Sequence, residues 1–487
     1  MNNFICVVWM TAISATLPAA EADASRQGAS VYQIEAKEDV SSRFPGAPRL
    51  HSFVWAEWEG KWLFLAGRIG GYHGVGGKEA DFPRATANQR IWVVDPAGDG
   101  PARTYSLPVA DLPAGLEAVK DQWMSANLQA AQDGETLYVA GGYGIDAKGK
   151  WVTYPILSAV HVPSLVKAVM GQGDLKAARI RYVESPHVQV TGGELLRLDD
   201  GLFYLVGGHV FMGSYLDFQG NSERNTGSSW QQYTSEIRKL RFVEGAGGKL
   251  DVKLLESYRD AEFRRRDLNA THVLLEGGSV LGAMAWGGVF THDQGGFTKP
   301  LVWSAKQAPQ VAQGFDQKMS AYSCARAVFF DGDTKRTLTT FFGGISATLW
   351  NAAKGMYEPA PRVGERSEAR YMDGLQWIDR MTTVVRSEER MVELVERGEP
   401  MAGYVGTNAV FLPSPELRRV RPDAEIYDLR PLRGKRVLAG YLFGGIRAFP
   451  KQFPYHADSP DYQSGNVPTR ASELILAVYL TVPAASE

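Results

Sequence analysis

The chain has 487 residues, 44% of them hydrophobic, with 52 Gly, 12 Trp, 20 Tyr and 21 Phe. That is enough apolar material for a large core, and the aromatic and glycine content favours strands and turns over long helices. Net charge is -2 with no long run of one sign, which excludes an electrostatic grip on nucleic acid or acidic lipid.

The chain opens MNNFICVVWMTAISATLPAAEADAS. An apolar run from Phe4 to Leu17 is followed by Ala22-Asp23-Ala24, a small-residue cleavage pattern, so residues 1–24 read as a secretory signal peptide. No Lys or Arg precedes the run, and the run is too short for a comfortable membrane span. No other stretch approaches a span, so none is expected after cleavage. Of the two cysteines, Cys6 lies inside this leader. The mature chain keeps Cys324 and has no internal disulfide, which fits a periplasmic or secreted protein.

From residue 30 onward a pattern repeats. "SVYQIEAK" at 30–37 reads as a strand with no local partner. Then "LFLAGR" begins at Leu63, "LYVAGG" at Leu137, "FYLVGG" at Phe203, "AMAWGG" at Ala283, "TTFFGG" at Thr339 and "GYLFGG" at Gly440. Each is an apolar run ending in glycine. The first glycines are Gly67, Gly141, Gly207, Gly287, Gly343 and Gly444, with Arg68 standing in for the second glycine of the first copy. A shorter strand and an Asp-Gly or Gly-Gly turn come before most copies, as in "LLRLDDG" and "AVFFDGD". A third strand follows each copy after a variable loop, as in "RIWVVDP", "EIRKLRF" and "LILAVYL". A fourth follows most of these.

Repeated four-stranded units are the pattern of a β-propeller, and the doublet at the end of strand two resembles the kelch repeat. The copies lie 56 to 101 residues apart, longer than a usual kelch period, and most lack the regular Tyr and Trp of that family. The resemblance covers residues 30–482. It implies an all-β, six-bladed kelch-like propeller in one domain. The sixth unit runs out after three strands, so the strand at 30–37 is expected to complete it and close the ring. Glycine is expected where strand two turns out at the rim, because it permits positive φ and close backbone approach. "RSEERMVELVERG", 386–398, has Met391, Leu394 and Val395 at helical spacing and reads as a short helix between strands three and four of blade five.

Propeller topology puts the two-to-three loops and the lead-ins to each first strand on one face. The long insertions, about 68–89, 209–235, 345–378 and 446–470, all fall there. So do six of the eight histidines: His51, His73, His187, His209, His292 and His456. That face is the expected binding face. The ligand-binding candidates on it are Arg68, His73, Asn127, Tyr143, His209, Asn269, His292, Arg326, Arg447 and His456. The arginines suit a carboxylate or phosphate. Tyr215, Asp217, Trp230, Glu365, Arg370, Tyr371 and Asp373 populate the longer loops. His73, His209, His292 and His456 are the metal-ligand candidates, although no local His spacing supports a metal. The run Arg264–Arg266 is flanked by Glu262 and Asp267 and is expected to pair locally. No nucleophile elbow, phosphate loop or zinc spacing occurs.

Exported bacterial kelch propellers resembling sialic acid mutarotases bind sugar with Arg and Glu in the central funnel. That resemblance of fold implies a small polar ligand, carbohydrate favoured, with mutarotase- or epimerase-like chemistry. It names no catalytic residue or cofactor. The alternative is an envelope scaffold that binds a protein or polysaccharide without chemistry. A third reading rests on copper radical oxidases of the galactose oxidase type, also kelch-like, which use a Tyr–Cys cross-link and a Tyr next to a His. "YSC" at Tyr322–Cys324 and the pairs Tyr72-His73 and Tyr455-His456 resemble those parts. That family's carboxy-terminal ligand domain has no counterpart here, and Cys324 is expected to pack as a small apolar residue.

Overall fold

The computed structural model describes residues 31–72, 82–96, 98, 100–214, 229–245, 248–292, 295–360, 375–396, 400–449 and 469–484. Within them the chain winds into six blades, each a four-stranded antiparallel sheet whose first strand is innermost, with one short parallel strand added inside blade five. Blade one is Val54–Trp58, Lys61–Leu65, Arg90–Asp95 and Arg103–Pro108. Blade two is Gln129–Asp133, Thr136–Ala140, Ile156–His161 and Arg181–Glu184. Blade three is Glu194–Arg197, Phe203–Val206, Glu236–Glu244 and Leu250–Arg259. Blade four is Asn269–Leu275, Val280–Trp286, Leu301–Ser304 and Gln310–Val311. Blade five is Ala325–Asp331, Arg336–Ser346, Gln376–Arg386 and Met391–Val395.

Blade six has Ala409–Pro413, Lys435–Gly444 and Leu476–Val482 from the end of the chain. Its fourth strand is Gln33–Asp39 from the beginning, antiparallel to Leu476–Val482 with Gln33 opposite Thr481 and Asp39 opposite Leu476. The N-terminal strand therefore closes the ring, as the sequence pattern predicts. Tyr32, just ahead of it, is buried and joins Thr340 of blade five at 2.7 Å.

The core lies between the blades, where alternating side chains of facing sheets meet. Phe64 of blade one stacks on Phe443 of blade six with ring centroids 4.5 Å apart. Trp303 of blade four is buried with Tyr204 of blade three. Two helices absent from the sequence reading reinforce the junction of blades one and two. Glu117–Gln122 leads into blade two, and Trp123 at its end donates Nε1–H to Ser158 at 3.1 Å. Val162–Val169, with Pro163 in its first turn, buries six of its eight residues.

The helix expected at 386–398 is a correction. Met391–Val395 is the fourth strand of blade five, paired with Thr382–Arg386. Its five residues are each partly buried, as suits an outer strand touching solvent on both faces. The same five residues satisfy a short helical pattern, and the sheet edge beside them decides the outcome.

The glycine doublets do what strand two requires. At Gly141 φ is 67° and at Gly142 it is 95°. A Cβ on Gly141 would fall 1.9 Å from the Val190 carbonyl oxygen, on the lead-in to the next blade. Gly142 N–H donates to that same carbonyl at 2.9 Å. Blade one needs its register corrected. Ala66 (φ 59°) and Gly67 (φ 84°) hold the two positions, and Arg68 is the residue after the doublet.

Candidate functional site

The lead-ins to the six first strands meet around the axis in a closed ring of backbone hydrogen bonds. Asn127 N–H donates to the Ser52 carbonyl (3.1 Å), Gly192 to Asn127 (3.0 Å) and Asp267 to Gly192 (2.7 Å). Ser323 donates to Asp267 (2.6 Å), Asn408 to Ser323 (3.0 Å), and Ser52 to Asn408 (3.4 Å), completing the circuit. Ser52, Asn127, Gly192, Asp267 and Asn408 all hold positive φ, a conformation that Asn, Asp and Gly tolerate best.

One residue earlier stand His51, Ala126, Thr191, Arg266, Tyr322 and Thr407. Each is tied to the residue that follows a glycine doublet. His51 bridges Arg68, Ala126 bridges Tyr143, Thr191 bridges His209 and Arg266 bridges Val289. Tyr322 N–H donates to Ile345 at 3.1 Å, and Ile446 N–H to Thr407 at 2.8 Å. The doublet thus turns strand two so that the next residue arrives at the floor of a funnel.

The pocket in that floor is lined by His51, Tyr72, Phe82, Tyr143, His209, Arg266, Asp267 and Tyr322, among others. The space between them is about 30 Å³, close to the volume of one water. Arg266 Nη1 lies 3.1 Å from His209 Nε2. A guanidinium only donates, so Nε2 accepts and the imidazole proton sits on Nδ1. Burial, then the Arg266 and Arg264 charges, hold His209 well below the usual histidine range, so the ring is neutral. Among the described residues Nδ1 has no hydrogen-bond partner. Asp267 lies 3.5 Å from Arg266 Nε. Burial raises its carboxyl, opposed by Arg266 and a hydrogen bond from Tyr322. Burial and the Asp267 charge push the Tyr322 phenol far up, and Tyr322 also bonds Tyr72. Arg68 is 6% exposed, bonds the Thr86 hydroxyl and lies 4.2 Å over the Phe82 ring.

Of the sequence candidates, Asn127, Tyr143 and His209 line this pocket, and Arg68 sits beside it against Phe82. The Tyr143 hydroxyl is committed to the Gly213 carbonyl at 2.7 Å. Asn269 is a correction: it is fully buried and structural, accepting Cys324 N–H at 2.9 Å and donating to Tyr322 O at 3.3 Å. Arg326 is another. It lies beyond the ring in the axial channel, paired with Glu194 at 2.8 Å, because a residue past the ring has already left the rim. Arg447 is paired with Glu473 and covers Phe449, away from the pocket lining. His292 is exposed in its loop. His73 and His456 lie outside the described residues, as do Tyr215, Asp217, Glu365, Arg370, Tyr371 and Asp373.

Of the metal candidates within the described residues, His209 is buried beside Arg266 and His292 is exposed and outside the pocket lining. Among the described residues no group of three or more His, Cys, Asp or Glu could hold a metal ion. Cys324 is buried among Val273, Trp286 and Phe341, and burial pushes its thiol up to about 12.

Sequence reading missed Arg266 and Asp267 as site residues. It assigned them to local pairing, which is correct for Arg265 with Glu262 at 3.3 Å but incomplete for Arg266. The available signal is positional. The residues just before each first strand, and the one just after each doublet, form the funnel floor.

A ring of six four-stranded blades around an axis, with a polar funnel on the long-loop face, defines a six-bladed β-propeller. No family model and no curated protein matches the sequence. Among solved structures, one described as "Structure of YjhT" is similar at 9% identity, covering 83% of this chain and 93% of that chain, with a TM-score of 0.44. Among the described residues no helix is long and apolar enough to cross a membrane.

Proposed function

We propose that this chain is an exported kelch-like propeller that binds a small polar ligand, carbohydrate favoured, in the funnel of the long-loop face. The observation that carries the reading is His209. A fully buried, neutral imidazole is fixed by Arg266 at 3.1 Å, and its Nδ1–H has no partner among the described residues. A buried donor of this kind costs about 1–3 kcal/mol unless a ligand or water accepts from it. A sugar hydroxyl reaching into the water-sized space beside it is a suitable acceptor.

The same side chains suit mutarotase- or epimerase-like proton transfer. Opening a sugar ring needs one group to take the anomeric hydroxyl proton and another to give a proton to the ring oxygen. Asp267, with its carboxyl raised by burial, and neutral His209 are the two groups the pocket offers.

Calorimetric titration of the mature protein with neutral and acidic monosaccharides tests this. One saturable site is expected, weakened at least tenfold by His209→Ala and by Arg266→Gln. Exchange NMR of a bound sugar's anomers reads the chemistry. No saturable sugar, or binding indifferent to both substitutions, overturns the reading.

A further inference from the structure

The larger cavity lies on the other side of the hydrogen-bonded ring. It is the axial channel, about 550 Å³, well inside the range of small-molecule sites. The ring residues line its funnel end. Toward the hairpin face it is partly roofed by the insertion between the first two strands of blade six, whose Arg419, Asp423 and Tyr427 line it.

The walls present backbone as well as side chains. Each first strand is the end strand of its sheet, except in blade five. Backbone groups that do not pair with the second strand therefore face the axis. Several of these edges are already engaged. The Gln132 carboxamide accepts Glu57 N–H at 2.9 Å and donates to the Glu57 carbonyl at 2.8 Å. Arg326 Nε donates to the Ala270 carbonyl at 3.0 Å, while Glu194 accepts the Ala270 N–H. In blade five an extended segment, Tyr427–Asp428, pairs in parallel with Phe329–Phe330.

Two of these cases show what group fits an inner edge. A carboxamide is a single peptide group, and Tyr427–Asp428 is a stretch of extended peptide. Ala270 stands three residues past the ring member Asp267. The equivalent residues Trp55, Ala130, Leu195 and Phe411 line the same cavity. Like Ala270 they sit on first strands that pair on one side only, with strand two, so alternate backbone groups are left toward the axis.

Two ion pairs stand in the wall, among further charged residues that include Glu57, Arg419, Asp423 and Glu425. Glu194 and Arg326 meet at 2.8 Å deep in the channel, and Asp133 and Arg197 at 3.0 Å nearer the hairpin face. A ligand of one charge meets repulsion at each pair. A ligand with an ammonium at one end and a carboxylate at the other finds a partner at both.

We propose that the axial channel is a second binding site, opening on the hairpin face, for a short zwitterionic peptide held extended against the inner strand edges. Three residues span about 10 Å, less than the length of the five-residue first strand Val54–Trp58. The mode is strand addition, which the chain already practises on itself in blade five.

Trialanine is the probe, titrated calorimetrically into the mature protein. The expected result is one saturable site, weakened at least tenfold by Arg326→Gln. Trialanine methylated on its central amide nitrogen, which needs no change to the protein, is expected to bind at least tenfold more weakly than trialanine. No saturable heat with trialanine, equal binding of the methylated peptide, or maltotriose binding in its place overturns the proposal. A sugar bound in the funnel without these peptide effects supports the funnel reading alone.

Discussion

Arg266 donates to His209 Nε2 across 3.1 Å, with both side chains buried. Burial, then the Arg266 and Arg264 charges, hold the imidazole neutral, and the Arg266 donor places its proton on Nδ1. His209 is expected to show the Nδ1–H tautomer throughout pH 5 to 8, read from its ring-nitrogen NMR shifts. An imidazole titrating near 6.5 in that range would contradict the assignment. In Arg266→Gln the opposing guanidinium charge is gone, and the His209 pKa is expected to rise.

Ala66 occupies the first doublet position of blade one with φ 59°. Five other blades use glycine there. An L-residue in the left-handed region costs about 1 kcal/mol, so Ala66→Gly is expected to stabilise the fold by about that much. Gly141→Ala is expected to cost more than about 3 kcal/mol, because the new Cβ would lie 1.9 Å from the Val190 carbonyl oxygen. Chemical denaturation of the two variants measures both.

Two partly buried carboxyls give the stability a pH slope. Burial pushes Glu393 and Glu396 up to about 7 from 4.5, against hydrogen bonds from Lys318 and Met319 N–H for the first and from Thr383 for the second. In the unfolded chain both ionise near 4.5. Between that pH and 7 the folded chain holds protons that the unfolded chain has lost, so stability falls as pH rises through the window. Asp331 and Glu236, held below the usual range with the help of Thr334, Arg433, Ser257 and Arg238, act oppositely. Their contribution is lost as pH falls through their folded-state values. Urea midpoints at pH 5 and pH 8 are expected to differ by less in Glu396→Gln than in the native chain.

Closure of the ring depends on the first described residues. The Tyr32 hydroxyl joins a buried chain through Thr340, Thr383 and Glu396, with steps of 2.7, 2.7 and 3.0 Å. Tyr32→Phe is expected to cost about 1–2 kcal/mol, read as a lowered denaturation midpoint. Removing residues 31–39 strips the outer partner from Leu476–Val482 and leaves a long apolar edge. Size-exclusion chromatography is expected to show aggregation of that truncated chain.

The blades were legible because a doublet such as Gly141-Gly142 marks a backbone conformation that glycine meets most easily, and it recurs. Ala66 hid the register of blade one because tertiary contacts can hold a residue where local preference would not. Met391–Val395 misled because five residues are too few to separate a half-buried strand from a helix turn. His209 and Tyr143 were found because they fall in the loops between strands two and three. Arg266 was passed over because its flanking acids offered a sufficient local account, and its partner His209 lies 57 residues away in sequence. Arg326 was misplaced because three residues past the ring member Ser323 carry the strand from rim into channel.

The ring that links Ser52, Asn127, Gly192, Asp267, Ser323 and Asn408 runs head to tail in one rotational sense. Peptide dipoles arranged in a circle largely cancel, whereas in a helix they add toward one end. The septum between funnel and channel therefore presents neither a positive nor a negative pole to either side. Whatever charge a ligand carries, the preference of each chamber must come from its own side chains: Arg68, Arg266 and Asp267 above, and the Glu194–Arg326 and Asp133–Arg197 pairs below. The backbone of the wall favours neither chamber, so a charge felt in both is a side-chain charge, that of Asp267, which lines both.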